Sequence, residues 1–260
     1  MLLKDQVAII TGGGRGLGRA MAVRFAAEGA HVVITARTPS ELQSTTKEIE
    51  ATGGQAAYVA ADVAREDGCE SIVQAARKAF GRVDILVNNA GIFGPIKLLE
   101  ELTPAEWDEV MAINLRGPFL LSRLVLPEMY QRRSGVILNI SSISGKLALQ
   151  LQAPYSASKA GLIGLTRSLA AEGARRGVRV NCLLPGPVPE TAMSQYISKT
   201  MGARFNADPA KLSAQFFEGI LQGRPQTAGE IAWAALFLVS DQAAAITGQT
   251  LNVDGGMAFC

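Results

Sequence analysis

Histidine is almost missing from this chain: His31 is the only one among 260 residues. That removes most Ser-His-Asp, zinc and histidine-base mechanisms at once. Cysteine is nearly as scarce. Cys69, Cys182 and Cys260 lie far apart with no metal-like spacing, so they read as buried or idle thiols in a reducing compartment, with no disulfide framework and no metal site. Neither sign of charge prevails. The chain has 25 Lys and Arg against 23 Asp and Glu, a net charge of +2, so no strong field draws it to nucleic acid or an anionic membrane. Long apolar runs are also lacking. The longest near the C-terminus, Ile231 to Val239, is too short to cross a bilayer, and no apolar segment of signal length precedes a small-residue cleavage site. A soluble, cytoplasmic protein is expected. The 48% hydrophobic content excludes disorder and suffices for a substantial core.

What is present is an alternation of short apolar runs with longer amphipathic stretches. Val7–Thr11, Val32–Thr35, Ala57–Ala60, Ile85–Val87, Val136–Ile140, Val178–Cys182 and Thr250–Val253 read as fully buried strands. Helical stretches lie near Leu17–Glu28, Ser40–Thr52, Asp67–Phe80, Pro104–Gln131 and Ser156–Arg176. Strand and helix in strict turn predict right-handed crossovers and an α/β fold: a Rossmann-type doubly wound parallel sheet of about seven strands, helices on both faces. No linker or composition shift divides residues 1–260, so one domain is expected. The segment Pro187–Arg224, between the sixth and seventh predicted strands, breaks the rhythm. It is long and rich in Ser, Met and Phe, and reads as a substrate lid.

The first strand runs into Thr11-Gly-Gly-Gly-Arg-Gly-Leu-Gly18, which opens the first helix. Gly12, Gly16 and Gly18 allow a tight turn and close approach of a pyrophosphate to the amides of a helix N-terminus, flanked by Arg15 and Leu17. An NAD site wants an acidic residue near the end of the second strand to hold the ribose 2′-hydroxyl. From Gly29 to Ser40 there is none: Ala36 stands there, Arg37 follows, and Arg15 lies on the same side. Two guanidiniums suit a 2′-phosphate, so NADP(H) is expected ahead of NAD(H).

Tyr155-Ser-Ala-Ser-Lys159 begins a helix after Pro154. Residues four apart share a helical face, so the phenol and the ammonium can share a site, and the cation is expected to lower the phenol's pKa toward neutrality. Ser141-Ser142 closes the fifth strand at the carboxyl edge where open α/β sheets bind ligands. Asn88-Asn89-Ala90-Gly91 closes the fourth, with small residues that admit a cofactor. Asn114 sits inside the long helix from Pro104, where Asn is a poor helix former, and is either exposed or part of a buried network.

With Asp62-Val63, Asn181, Pro185-Gly186 and the terminal Ile246–Gly256 run, this set resembles the short-chain dehydrogenase/reductase family over essentially the whole chain. The resemblance implies hydride transfer between NADP(H) and a carbonyl or secondary alcohol. Tyr155 would be the general acid–base, Ser142 would hold the substrate oxygen, Lys159 would bind the nicotinamide ribose, and Asn114 would anchor a proton relay. Asp62 and Val63 would contact adenine, Asn89 the adenosine side and Val188 the nicotinamide amide. Thr191 departs from the family pattern, one residue late, with Glu190 in the usual place.

Ile92, Phe93, Ile143, Leu147–Leu151, Met193, Tyr196, Met201, Phe205, Phe216 and Phe217 are the expected substrate walls. An alternative activity is 3-oxoacyl carrier-protein reduction, with Arg132, Arg133, Arg175 and Arg176 ending the two long helices toward an acidic partner. A catalytically idle NADP(H)-binding regulator is a second alternative. Similar members assemble as tetramers through the two long helices and the C-terminal segment, so a homotetramer or homodimer is expected, with Gly256–Cys260 contributing.

Overall fold

The computed structural model of the chain describes residues 1–259. The strands are β1 (Val7–Thr11), β2 (His31–Ala36), β3 (Gln55–Ala60), β4 (Ile85–Asn88), β5 (Gly135–Ile140), β6 (Val178–Pro185) and β7 (Thr250–Val253). They form one parallel sheet in the order β3-β2-β1-β4-β5-β6-β7. The order reverses between β1 and β4, and a crevice at the carboxyl ends follows from that reversal.

Alternation along the central strands divides the core. Ala8, Ile10, Val32, Ile34, Ile85, Val87, Leu138 and Leu183 face α1 (Gly16–Ala27), α2 (Pro39–Ala51) and α9 (Ala228–Val239). Ile9, Val33, Leu86, Ile137 and Val180 face the opposite layer, built on α3 (Glu66–Phe80), α5 (Gly117–Arg132) and α6 (Ala153–Gly173). Both faces being covered explains the unbroken apolar runs. The edge strands β3 and β7 differ from the expectation of full burial: each has one strand neighbour, and their residues are largely half-buried or exposed.

Three further features carry physical reasons. The stretch from Pro104 is interrupted: α4 (Pro104–Met111) passes through a π-helical turn, Ala112–Arg116, into α5. Such turns insert an extra residue and are frequent at functional sites. The run containing Ile231–Val239 is α9, capped by Thr227 accepting from the Glu230 amide. It is so apolar because it packs beside α1 and against the sheet. The segment Pro187–Arg224, read as a lid, holds α7 (Ala192–Phe205) and α8 (Pro209–Phe217), capped by Thr191 and Asp208.

Cys69 and Cys182 are buried free thiols, each pushed up to about 11 by burial, consistent with inert packing. Cys260 lies outside the described residues. No helix among the described residues is long and apolar enough to cross a membrane, and none of their His, Cys, Asp and Glu side chains cluster to hold a metal.

Phe25 in α1 is fully buried among the β1–β2 side chains. Phe25→Ala should cost about 3–5 kcal/mol of stability. Denaturant unfolding checks this, and a loss below about 1 kcal/mol would contradict the packing.

Candidate active site

The carboxyl edge of the sheet opens into a cavity of about 1590 Å³ that runs from the glycine turn to α7 and α8. Its first end is the turn itself. The Thr11 hydroxyl donates to the Val87 carbonyl at 3.3 Å and accepts the amides of Asn89 and Ala90 at 2.9 Å each, joining β1 to the loop after β4. The Asn89 amide donates to the Thr11 carbonyl at 2.8 Å, so its side chain supports the turn from behind. Gly12 has φ +66°, the left-handed region. Gly18 does not line the cavity. A Cβ there would lie 2.0 Å from the Gly12 carbonyl oxygen, so this glycine allows α1 to approach β1 closely. Gly12, Arg15, Gly16 and Leu17 do line it, as do Arg37, Asp62, Val63, Asn89, Ala90 and Gly91. This cradle fits a dinucleotide: side-chain-free backbone faces the helix N-terminus, with two guanidiniums beside it.

The cations differ in their engagement. Arg15 is paired with Glu41 at 3.2 Å, whereas Arg37 is exposed with no ion pair among the described residues. Asp62 is turned inward by accepting the Ala64 amide at 2.9 Å.

The inner end gathers the polar groups. Ser142, Tyr155 and Lys159 line the cavity together with Pro185, Gly186 and Val188. Lys159 is 4% exposed and donates to the Ile140 carbonyl at 2.8 Å, at the end of β5. Its Nζ lies 5.6 Å from the centre of the Tyr155 ring. The Ser141 hydroxyl is spent on the Lys159 carbonyl at 2.8 Å. The Ser142 hydroxyl accepts the Ser144 amide at 3.1 Å and is the one that acts on Tyr155.

Asn114 sits behind the cavity wall, 1% exposed. Its side chain accepts the Ile92 amide at 2.9 Å and donates to the Ile92 carbonyl at 2.8 Å and to the Ser158 hydroxyl at 3.1 Å. Ser158 in turn donates to the Tyr155 carbonyl at 2.7 Å. The residue is therefore part of a buried network, which its place on the π turn makes possible. A Cβ on Gly91 would lie 3.2 Å from Asn114 Oδ1 and 3.5 Å from Lys159 Nζ, so the glycine keeps that corner open.

The expected effect of the ammonium on the phenol is not what the structure shows. Burial raises Tyr155 to about 12, and the Ser142 hydroxyl pulls only partly the other way. Burial also lowers Lys159 to about 8. Both charged forms lose hydration, and for Tyr155 that loss is the larger effect.

Of the expected substrate walls, Ile92, Phe93, Ile143, Leu149 to Leu151, Met193, Tyr196, Met201, Phe205, Phe216 and Phe217 line the cavity, while Leu147 and Ala148 do not. Sequence reading missed Thr38, Glu41, Ile96 and Gln152, which also line it. Only Gln152, three positions before Tyr155, carried a spacing signal. Thr191 caps α7, donating to the Val188 carbonyl at 2.9 Å, and its methyl would meet a Cβ on Gly16 at 3.6 Å. Glu190 accepts the Ala228 amide at the start of α9.

Residues 6–202 match the family model for short chain dehydrogenase, and the chain belongs to that family. It is an NAD(P)-dependent oxidoreductase. A 3-oxoacyl-[acyl-carrier-protein] reductase of Synechocystis is 41% identical, over 99% of this chain and 98% of that protein. The structure of a levodione reductase superposes with a TM-score of 0.93 at 38% identity, covering 98% of both chains. That of an actinorhodin polyketide ketoreductase with NADPH superposes with a TM-score of 0.92 at 36% identity, covering 97% of both.

Lys159, charged when unfolded and depressed by burial when folded, sets a pH dependence. Between about 8 and its ordinary value near 10.5 the unfolded chain binds more protons, so stability rises with pH across that window. Lys159→Met should lack this rise in denaturant midpoints measured from pH 7 to 10. Parallel curves for the two proteins would contradict the buried amine.

Proposed function

We propose that the enzyme transfers a hydride between NADP(H) and a carbonyl or secondary alcohol substrate, with Ser142, Tyr155 and Lys159 carrying the protein's part. The observation behind this reading is the continuity of one cavity, from the glycine turn and its two arginines to the buried Ser-Tyr-Lys cluster. The bound dinucleotide supplies or takes up the hydride at its nicotinamide ring. Gly12, Gly16 and Leu17 would hold its phosphates, Arg15 and Arg37 its 2′-phosphate, and Asp62 and Val63 its adenine. Asn89, Ala90 and Gly91 would border the adenosine side, and Pro185, Gly186 and Val188 the nicotinamide amide. Lys159 would bind the adjoining ribose.

The Ser142 hydroxyl donates to the substrate oxygen, and Tyr155 delivers its phenolic proton as charge grows there. Because burial keeps that phenol protonated well above neutral pH, the acid form needed for reduction is always present. Lys159, with an amine lowered to about 8, can return a proton toward Tyr155. Asn114 is a positioning residue that fixes α6 through Ser158. The helices α7 and α8 act as the substrate lid.

The 3-oxoacyl carrier-protein reductase reading rests on relatives such as the Synechocystis enzyme. The helix-end arginines support it unevenly. Arg132 is engaged by Glu128 and Asp84, and Arg176 stacks over Tyr130 at 4.6 Å, while Arg133 and Arg175 are exposed. Comparing carrier-bound with free ketones separates the two activities. An idle regulator is disfavoured by the assembled cluster.

Tyr155→Phe should leave NADPH binding intact and reduce kcat by about 100-fold or more. Retained turnover would remove the phenol from the mechanism, and unchanged biological output without turnover would favour the regulator. Replacing Arg15 and Arg37 together by Ala should raise the KM for NADPH about tenfold or more and leave that for NADH little changed, since each guanidinium contributes charge-assisted bonds to the phosphate. Steady-state rates with both cofactors decide it, and a wild-type preference for NADH would overturn the assignment.

A homotetramer in a cytoplasmic setting completes the reading. Phe119 on α5, Trp233 and Phe237 on α9 and Leu251 on β7 are exposed apolar side chains that self-association would cover. Sedimentation analysis should give a mass well above the 27.4 kDa of one chain, and a monomer would contradict it.

A further inference from the structure

At the end of the cavity that holds the glycine turn, an acid stands beside the two arginines. No Asp or Glu occurs from Gly29 to Ser40, but the next residue is Glu41. It lies in the first turn of α2 and lines the cavity with Arg15, Arg37 and Thr38. Its Oε1 accepts from Arg15 Nη1 at 3.2 Å. One of the two guanidiniums suited to a phosphate is therefore already engaged by an anion of the same chain.

Two observations separate this pair from an ordinary surface contact. The next pair between α1 and α2, Arg19 with Glu48 at 2.7 Å, does not line the cavity, whereas both Arg15 and Glu41 do. The carboxylate is also held where it is. The Thr45 hydroxyl donates to the Gly14 carbonyl at 3.1 Å, and a Cβ on Gly14 would lie 2.9 Å from Glu41 Cβ, so the start of α2 is packed against the glycine turn. The arginine is the freer partner, its side chain 68% exposed against 32% for Glu41. An exposed pair of this kind is weak, and its arginine changes partners at little cost.

A 2′-phosphate brought between Arg15 and Arg37 meets this carboxylate both as a like charge and as a rival for Arg15. A ribose with a free 2′-hydroxyl carries no charge to be repelled. We propose that Glu41 is a specificity-determining residue that competes with the cofactor's 2′-phosphate for Arg15, so that the preference for NADP(H) over NAD(H) is smaller than the two arginines alone would set. The proposal rests on the NADP(H) reading above. Arg37, exposed and without an ion pair among the described residues, takes the phosphate with no rival, and Arg15 is the guanidinium that has to change partners.

Glu41→Gln removes the charge and keeps the shape. Dissociation constants of NADPH and NADH for the purified protein, read from nucleotide fluorescence at low salt, test the proposal without turnover. NADPH should bind about fivefold more tightly to the variant, the upper range for one exposed ion pair, while NADH stays within about twofold of wild type. The gain should shrink as salt is raised. The affinity ratio of 2′,5′-ADP to 5′-AMP should rise by the same factor, because the two differ only in the 2′-phosphate. A role confined to tying α1 to α2 would lower the melting temperature and leave every dissociation constant alone. That result overturns the proposal, as does weaker NADPH binding in the variant or an equal gain for both nucleotides. A wild-type preference for NADPH with an unchanged ratio in the variant sinks the proposal alone. If neither protein binds NADPH more tightly than NADH, the NADP(H) reading fails and the proposal with it. Should Glu41→Gln not fold, Glu41→Ala carries the same expectations.

Discussion

The hydrogen bond from the Lys159 ammonium to the Ile140 carbonyl is the contact around which the site is built. It places a cationic side chain beneath the surface, at the end of a central strand, where water cannot compensate it. That interaction docks α6 on the sheet and aims Tyr155 at the cavity, while burial, not the bond, brings the amine to a range where it can exchange protons. The Ser141 bond to the Lys159 carbonyl and the Asn114–Ser158–Tyr155 chain hold the same helix from two other sides. A helix tied this way has little freedom to move its phenol relative to β5.

Burial has opposite consequences for the two partners. It pushes Tyr155 up to about 12 and Lys159 down to about 8, because both charged forms are deprived of solvent. The simple picture of an ammonium lowering a phenol's pKa treats the pair as if only the Coulomb attraction mattered. For a buried phenol the loss of hydration is the larger effect.

The two halves of the cavity are made by different means. The dinucleotide half is mostly backbone, exposed by glycines and braced by Thr11 and Asn89, and it depends little on side-chain identity beyond the two arginines. The substrate half is made of side chains from the loop after β4, the turn before α6 and the two helices of the inserted segment. Arg204 on α7 pairs with Glu101 at 2.9 Å and the Tyr196 hydroxyl donates to the Gly94 carbonyl at 3.2 Å, so that segment is fastened to the loop it covers. The two halves of the cavity are thus built independently of each other.

Local chemistry in the chain was enough to read the alternating layers. Apolar runs such as Val7–Thr11 have no stable alternative to a strand covered on both faces. Glycine spacing showed the tight turn after β1, and four-residue spacing showed Tyr155 and Lys159 on one side of a helix. Packing decided the rest. That β3 and β7 are edges, that Ile231–Val239 is a helix wedged against α1, and that the stretch from Pro104 carries a π turn all depend on partners distant in sequence. The left-handed Leu151, the unpaired Gln152 side-chain amide next to it and the pKa values of the buried pair belong to the same class. Periodicity and propensity report what a segment prefers by itself, whereas strain, desolvation and orphaned polar groups exist only once other segments have closed around it.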